Sequence, residues 1–419
     1  MTTRTWVAYL VRAGLAGAIV FSSAVARLDV AAAPARPEFY KDVLPILQRH
    51  CQSCHRPSGL NLGGMVAPMA LMSFDDARPW AKAIAKRVSE RSMPPWHASN
   101  IHHGQFANER TLTDDEIAIV VQWAETGANR GNPKDGPAPL KFPDSEWSFG
   151  EPDLIVSLPE RYFVDDDVRD RYVNFESRIG EALLSEPRYI SASEVKPGSK
   201  AVHHVISTFG GLTPGMEPNI QREGFGQLIR PGQPVAWEMH YNKEAGPGTG
   251  LWDATKIGLK FYPKDWKPTY RAMPALLGNY TFRIPAGDPN YTCKAEFTFA
   301  QDARIMSYFP HMHLRGKEMK LVAYYPDGSE EILLHVPNYD FNWQTVYKYK
   351  EFKFVPKGTR LELTARYDNS AGNKNNPDPT VDVEGPKTPG APMQTDQEMM
   401  YTLLYYTDAL QIDNNTARR

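Results

Sequence analysis

In the stretch "EFYKDVLPILQRH", apolar residues fall at Phe39, Val43, Leu44 and Leu47, the three-to-four spacing of one helical face. A second helical pattern occupies "TLTDDEIAIVVQWAETGA", with Ile117, Val120, Val121 and Ala124 as its stripe. Thr113 and Glu116 have the spacing of a capping box, and Gly127 supplies the stop. The run "NRGNPKDGPAPLKFPDSE" that follows is dense in Pro, Gly and charge and reads as a linker. Beyond it the period falls to two. "KAVHHVIST", "PVAWEMHYNK", "CKAEFTFA", "DARIMSYF", "MKLVAYYPDGSEEILLHV" and "VYKYKEFKFV" read as strands, with "YYPDGSE" as a hairpin turn. About 270 residues of short strands suit two β-sandwiches better than one, with the break near 265–282. The expected chain is multidomain: a small all-α domain at 36–133, a linker at 134–150, and two all-β sandwiches at 151–272 and 273–412.

Ahead of these elements, Arg4 and Arg12 precede the apolar "AGLAGAIVFSSAVA", and Ala24-Val25-Ala26 offers a cleavage site. Residues 1–33 therefore read as a signal peptide, which places the mature protein in the periplasm or outside the cell. An uncleaved anchor is the alternative, although the run is short of the roughly 20 residues of a membrane span. The formal net charge of -2 over 419 residues gives no reason to expect nucleic acid. The three cysteines, Cys51, Cys54 and Cys293, do not make a disulfide framework.

Two of those cysteines lie in "CQSCH", the C-x-x-C-H pattern of covalent haem attachment, with His55 placed to face the iron. A redox disulfide and a partial zinc site are the competing readings. Export favours haem, and zinc would need a second ligand pair at suitable spacing. A second axial ligand is available in "RSMPPWH": Met93, whose thioether would raise the potential relative to a second imidazole. His97, His102 and His103 follow closely and leave bis-histidine ligation open. Residues 36–133 resemble the planctomycete-type cytochrome c domains, in which "MPPW" follows the haem motif.

The β region holds His203, His204, His240, His311, His313 and His335. His311 and His313 stand two apart on a strand and so share a face. Adjacent His203 and His204 would point oppositely on a regular strand, and could share an ion only at a bulge, at a strand end or through different ring nitrogens. His240 falls on the face of its strand with Ala236 and Glu238, opposite Val235, Trp237, Met239 and Tyr241. A third ligand for the His311–His313 pair is offered by Met399 or Met400 in "TDQEMMYTLLYYTD". Two imidazoles with a thioether favour copper over zinc.

In their order, "AVHHVI", "MHY", "HMHLRGK" and "EMMYTLLYY" resemble the copper type II, ascorbate-dependent monooxygenases, the group of the peptidylglycine alpha-hydroxylating and dopamine beta-monooxygenases, over roughly 150–410. Bacterial forms fused to an N-terminal cytochrome c domain resemble the chain more closely still. The resemblance implies two jelly-roll sandwiches facing across a solvent-filled cleft, two coppers and one covalent haem c. His203, His204 and His240 would hold an electron-transfer copper; His311, His313 and Met399 would hold the copper where dioxygen reacts. It further implies hydroxylation of a C–H bond in a small substrate, with electrons from a periplasmic redox protein or an ascorbate-like reductant. Phe309, Tyr401 and Leu403 stand where the peptide-amidating enzyme has polar substrate contacts, so an apolar or aromatic substrate is expected instead. A non-enzymatic electron-transfer or copper-binding protein is the alternative.

Overall fold

The computed structural model describes residues 36–57, 59, 65–142, 145–389 and 393–408. The expected signal peptide and the end of the second sandwich beyond 408 lie outside the described residues. The described chain is mostly β, with few helices. No helix among the described residues is long and apolar enough to cross a membrane.

The helices come first. A π-helical turn, Phe39–Val43, runs into α1 (Leu44–His50). Then follow α2 (Phe74–Ala77), α3 (Ala81–Ser89) and α4 (Asp114–Glu125). Thr113 and Glu116 form the expected capping box of α4, and Gly127 ends it at φ +101°. α3 was not anticipated, yet it is the main packing partner of α4. The first and last helical segments meet through Phe39 against Trp123, centroids 5.8 Å apart, and Arg49 bonded to Glu116 at 2.7 Å.

Eleven strands precede residue 262. They are β1 (Leu154–Ser157), β2 (Tyr162–Val164), β3 (Asp170–Arg178), β4 (Arg188–Lys196), β5 (Val202–Ser207) and β6 (Gly210–Leu212). Then come β7 (Asn219–Ile220), β8 (Gln227–Ile229), β9 (Pro234–Asn242), β10 (Leu251–Asp253) and β11 (Lys256–Phe261). They pair only among themselves, chiefly as β3-β9-β5-β6 and β1-β11-β4-β7. Val205, Trp237, Met239, Ile257 and Leu259 fill the core they enclose.

The later strands are β12 (Met273–Gly278), β13 (Arg283–Ile284), β14 (Tyr291–Thr298), β15 (Ala303–His311) and β16 (Gly316–Tyr324). β17 (Glu330–Val336), β18 (Tyr347–Val355), β19 (Arg360–Tyr367), β20 (Val383–Glu384) and β21 (Tyr401–Thr407) complete the set. Here the sheets run β12-β21-β15-β18 and β14-β19-β16-β17. Leu321, Leu363, Ala365, Met400 and Leu404 lie in the core of this second set. The pairing thus changes partner set between residues 262 and 272, a stretch that overlaps the expected break at 265–282.

The expected linker does not run free over its whole length. Trp147 is buried, with the Lys196 and Lys256 ammonium groups 5.5 and 5.4 Å from its ring. Gly258 makes room for it, since a Cβ there would come within 2.7 Å of the indole. Taking so large an apolar surface out of water outweighs the solvation of its polar neighbours in the sequence.

The helical region also joins the second β set. Lys350 donates to Gln105 O at 2.8 Å and Ala107 to Lys348 O at 2.7 Å, so residues 105–107 extend the β15–β18 sheet along β18. Phe106 is fully buried there, its ring 5.1 Å from Tyr349 and 5.5 Å from Tyr347. Phe106→Ala should cost about 3–5 kcal/mol in urea unfolding; a loss below about 1 kcal/mol would show that the segment does not pack there in solution.

Candidate metal and haem sites

His203, His204 and His240 converge, their ligating nitrogens all within 4.8 Å of one another. The local device is a bulge: Val202 pairs with Tyr241 and His204 with His240, which leaves His203 as the extra residue of β5. This allows two consecutive histidines to serve one point. His240 is buried, although it lies on the face opposite the Val235–Tyr241 core stripe. Tyr172 of β3 covers it in a parallel stack, centroids 4.1 Å apart.

His240 Nε2 is held by Asp170 Oδ1, which turns Nδ1 toward His204 Nδ1, 3.1 Å away. Asp170 also accepts from the backbone N–H and hydroxyl of Thr395, at 3.3 and 3.2 Å, across from the second set of strands. Burial works against its charge, but the bond to His240 prevails and takes it down to about 2. His203 Nδ1 is buried without a hydrogen-bond partner among the described residues, and His204 Nε2 faces the Glu238 carboxylate at 3.7 Å, beyond hydrogen-bond distance. Buried imidazole nitrogens without hydrogen bonds in a cluster fit an ion better than a packed core.

The second cluster is built by β15 and its neighbours. His311 and His313 stand 5.1 Å apart between ring centroids. His311 Nδ1 is bonded to Gln344 Oε1 at 2.7 Å and His313 Nδ1 to Gln397 O at 3.1 Å, so both Nε2 atoms are left to face a ligand. Below them Glu398 accepts the backbone N–H groups of His313 and Arg315, at 2.9 and 2.6 Å. Burial pushes Glu398 up to about 8 despite those bonds.

The two methionines immediately precede β21. Met399 and Met400 both border the cavity that His311 and His313 line, as do Tyr401, Leu403 and Tyr405. They differ in burial: Met400 is fully buried, with Thr402 and Leu404, whereas Met399 is half-buried. Tyr401 pairs directly with His311, and Leu403 with Phe309, across the β15–β21 ladder. This cavity, about 1610 Å³, is also lined by His204 and Tyr172. The ring of Phe341 stands between the clusters, its centroid 5.3 Å from His203 and 5.4 Å from His313.

Burial keeps the His203, His204, His311 and His313 imidazoles neutral, as metal ligation requires. It lowers His203 from the ordinary 6.5 to about 3, with help from His240 and His204. His313 falls to about 4 and His204 and His311 are lowered as well, burial leading in each. The unfolded imidazoles take up protons near 6.5 and these folded ones do not, so their contribution to the stability of metal-free protein is fully present above that pH. Its melting temperature should fall as the pH drops from 6.5 toward 4; Glu398 and Asp253, both raised by burial, oppose this and are outnumbered. A melting temperature that is flat or rises over this acid range would contradict the neutral cluster.

In the helical region, Cys51 and Cys54 follow α1 as free thiols, and Cys51 is pushed up to about 12, first by burial. His55 Nδ1 bonds to Met69 O at 3.2 Å, which leaves Nε2 for a ligand. Two unbridged thiols and an oriented imidazole fit covalent haem. Met93 lies in the loop after α3, 38% exposed. His97 Nδ1 and His102 Nε2 are buried without a hydrogen-bond partner among the described residues, and His103 is bonded to Glu109. His335 belongs to neither metal cluster and pairs with Glu318 at 3.1 Å.

Sequence reasoning missed the supporting residues Asp170, Tyr172, Phe341, Gln344 and Glu398. Only Glu398 gave a signal, as the acidic neighbour of Met399.

No protein family matches the chain, and no curated protein matches it in sequence. Among solved structures, it is similar to a turret protein of Sulfolobus turreted icosahedral virus, at 9% identity and TM-score 0.15, covering 61% of this chain and 98% of that one. It is similar also to the infectious bursal disease virus subviral particle, at 8% identity and TM-score 0.17, covering 62% of this chain and 83% of that one. Likeness at this level carries no argument about fold or activity.

Proposed function

We propose that the chain is a haem-fed copper monooxygenase, made of a cytochrome c domain and two jelly-roll sandwiches and exported to the periplasm or beyond. The convergence of His203, His204 and His240 through a bulge carries this reading, because no folding requirement gathers three imidazoles there. Met399 and Met400 both border the cavity beside His311 and His313, and Met399 is the less buried of the two, which supports a second, sulfur-containing donor set.

Bound copper would supply one-electron redox chemistry at the triad and dioxygen reduction at the second cluster. The chain's own residues do the rest. Asp170 fixes the tautomer of His240, while Gln344 and the Gln397 carbonyl fix those of His311 and His313. Phe309, Tyr401 and Leu403 make a largely apolar wall beside His311 that would hold an apolar or aromatic C–H compound and exclude water. His55, with Met93 or a nearby histidine, would hold the haem that relays electrons from a periplasmic redox protein or an ascorbate-like reductant. Substrate and dioxygen, with two electrons and two protons, give the hydroxylated product and one water.

The test loads purified full-length protein with haem and copper, counts two coppers per chain, and follows dioxygen uptake with small aromatic and aliphatic compounds. Substrate-dependent uptake is expected. Two bound coppers with no such uptake would leave an electron-transfer or copper-binding protein.

A further inference from the structure

Three parts of the chain meet at one charged junction. Arg110, from the segment that extends the β18 sheet, faces Glu217, which follows β6, with its Nη2 3.5 Å from Glu217 Oε1. Lys348 of β18 reaches the other Glu217 oxygen only at 4.0 Å. Arg222 stands beside them, its guanidinium spent on the Tyr349 and Lys350 carbonyls, both at 2.6 Å, so its charge meets no carboxylate there. Arg110 and Lys348 therefore share one carboxylate, with a third cation beside them.

Arg110 is the member with capacity left. Its Nε and Nη2 are sealed from solvent and have no hydrogen-bond partner among the described residues. Those two atoms form the edge of a guanidinium that grips a carboxylate with two parallel bonds. Glu217 approaches this edge only to 3.5 Å, so a buried guanidinium edge makes no hydrogen bond, which is costly and points to a ligand. Arg110, Arg222, Lys348 and Glu217 all line the cavity shared by His204, His311 and His313. On the other side, the charges of both Arg110 and Glu217 are felt at the Cys54 thiol.

We infer that Arg110, backed by Lys348 and Arg222, is a carboxylate-binding site at the junction of the three parts. Two sources offer that chemistry: a propionate of the haem, and the carboxylate of a small aromatic acid in the cavity. The first source rests on the haem reading above; the second does not.

The experiment uses full-length protein and the variants Arg110→Gln, Arg110→Lys and Glu217→Gln. If a propionate is held, the haem midpoint potential falls in Arg110→Gln, is largely kept in Arg110→Lys, and rises in Glu217→Gln, while the visible spectrum is unchanged. If an aromatic acid is held, benzoate quenches tryptophan fluorescence of the native protein, and its affinity drops about tenfold or more in Arg110→Gln. Glu217→Gln, which removes the competing carboxylate, then binds benzoate more tightly. Protein without attached haem defeats the haem reading and leaves the benzoate arm decisive. A potential unmoved in all three variants, with benzoate binding absent or unchanged, overturns the carboxylate site, as does a loss of stability in both Arg110→Gln and Glu217→Gln with no other effect.

Discussion

Replacing Met399 by isoleucine should cut substrate-dependent dioxygen uptake by more than about a hundredfold while the haem spectrum and melting temperature stay near native. Burial separates the two methionines. Both border the cavity just ahead of β21, but Met399 is half-buried whereas Met400 is fully buried. Met399→Ile keeps the bulk and removes only the sulfur donor. Met400→Ile is the matched comparison: as a volume-conserving change at a fully buried position it should cost under about 1.5 kcal/mol and leave turnover intact. Rapid turnover by Met399→Ile, or its loss only in Met400→Ile, would remove Met399 from the site.

Asp170→Asn should weaken copper at the histidine triad by about 10–100-fold without changing affinity at His311 and His313. The carboxylate holds His240 Nε2 and so directs Nδ1 at the other rings. An amide at that position binds the imidazole less strongly and no longer favours the same tautomer. His240→Ala should go further and reduce the copper count from two to one per chain. Competition with a chelator, read separately for the two sites, checks both variants. Undiminished affinity in His240→Ala would mean that the triad is not a copper site. An equal loss at both sites in Asp170→Asn would mean that Asp170 acts through its bonds to Thr395 and the closure of the two strand sets.

Much of the architecture was legible because strand and helix periods are local. Val235, Trp237, Met239 and Tyr241 declared the buried face of β9 two residues at a time, and that face is buried. Thr113 and Glu116 declared the start of α4 within four residues. α3 was passed over because "AKAIAKRVS" is short and mixes charge with small apolar residues. Trp147 was assigned to a linker because its neighbours are polar, and a single indole gives no period to read.

The candidate metal clusters were legible only in part. Which residues could be ligands, His203, His204, His240, His311, His313 and Met399 or Met400, was readable because donor chemistry belongs to the side chain itself. Convergence needed the β5 bulge, the β3-β9-β5 pairing and the β15–β21 pairing, which are properties of neighbouring strands rather than of any one strand. Asp170, Gln344 and Phe341 could not be found by spacing, since they reach the histidines from 28 to 138 positions away in the chain. Most elements, their buried faces and the inventory of donors are local properties that could be read along the chain. Which donors meet, which nitrogen of each imidazole is left free, and that Arg110, Glu217 and Lys348 share one junction all depend on how the sheets pack. Periodicity acts over a few residues, whereas a binding site is assembled by pairing across sheets that bring distant parts of the chain together.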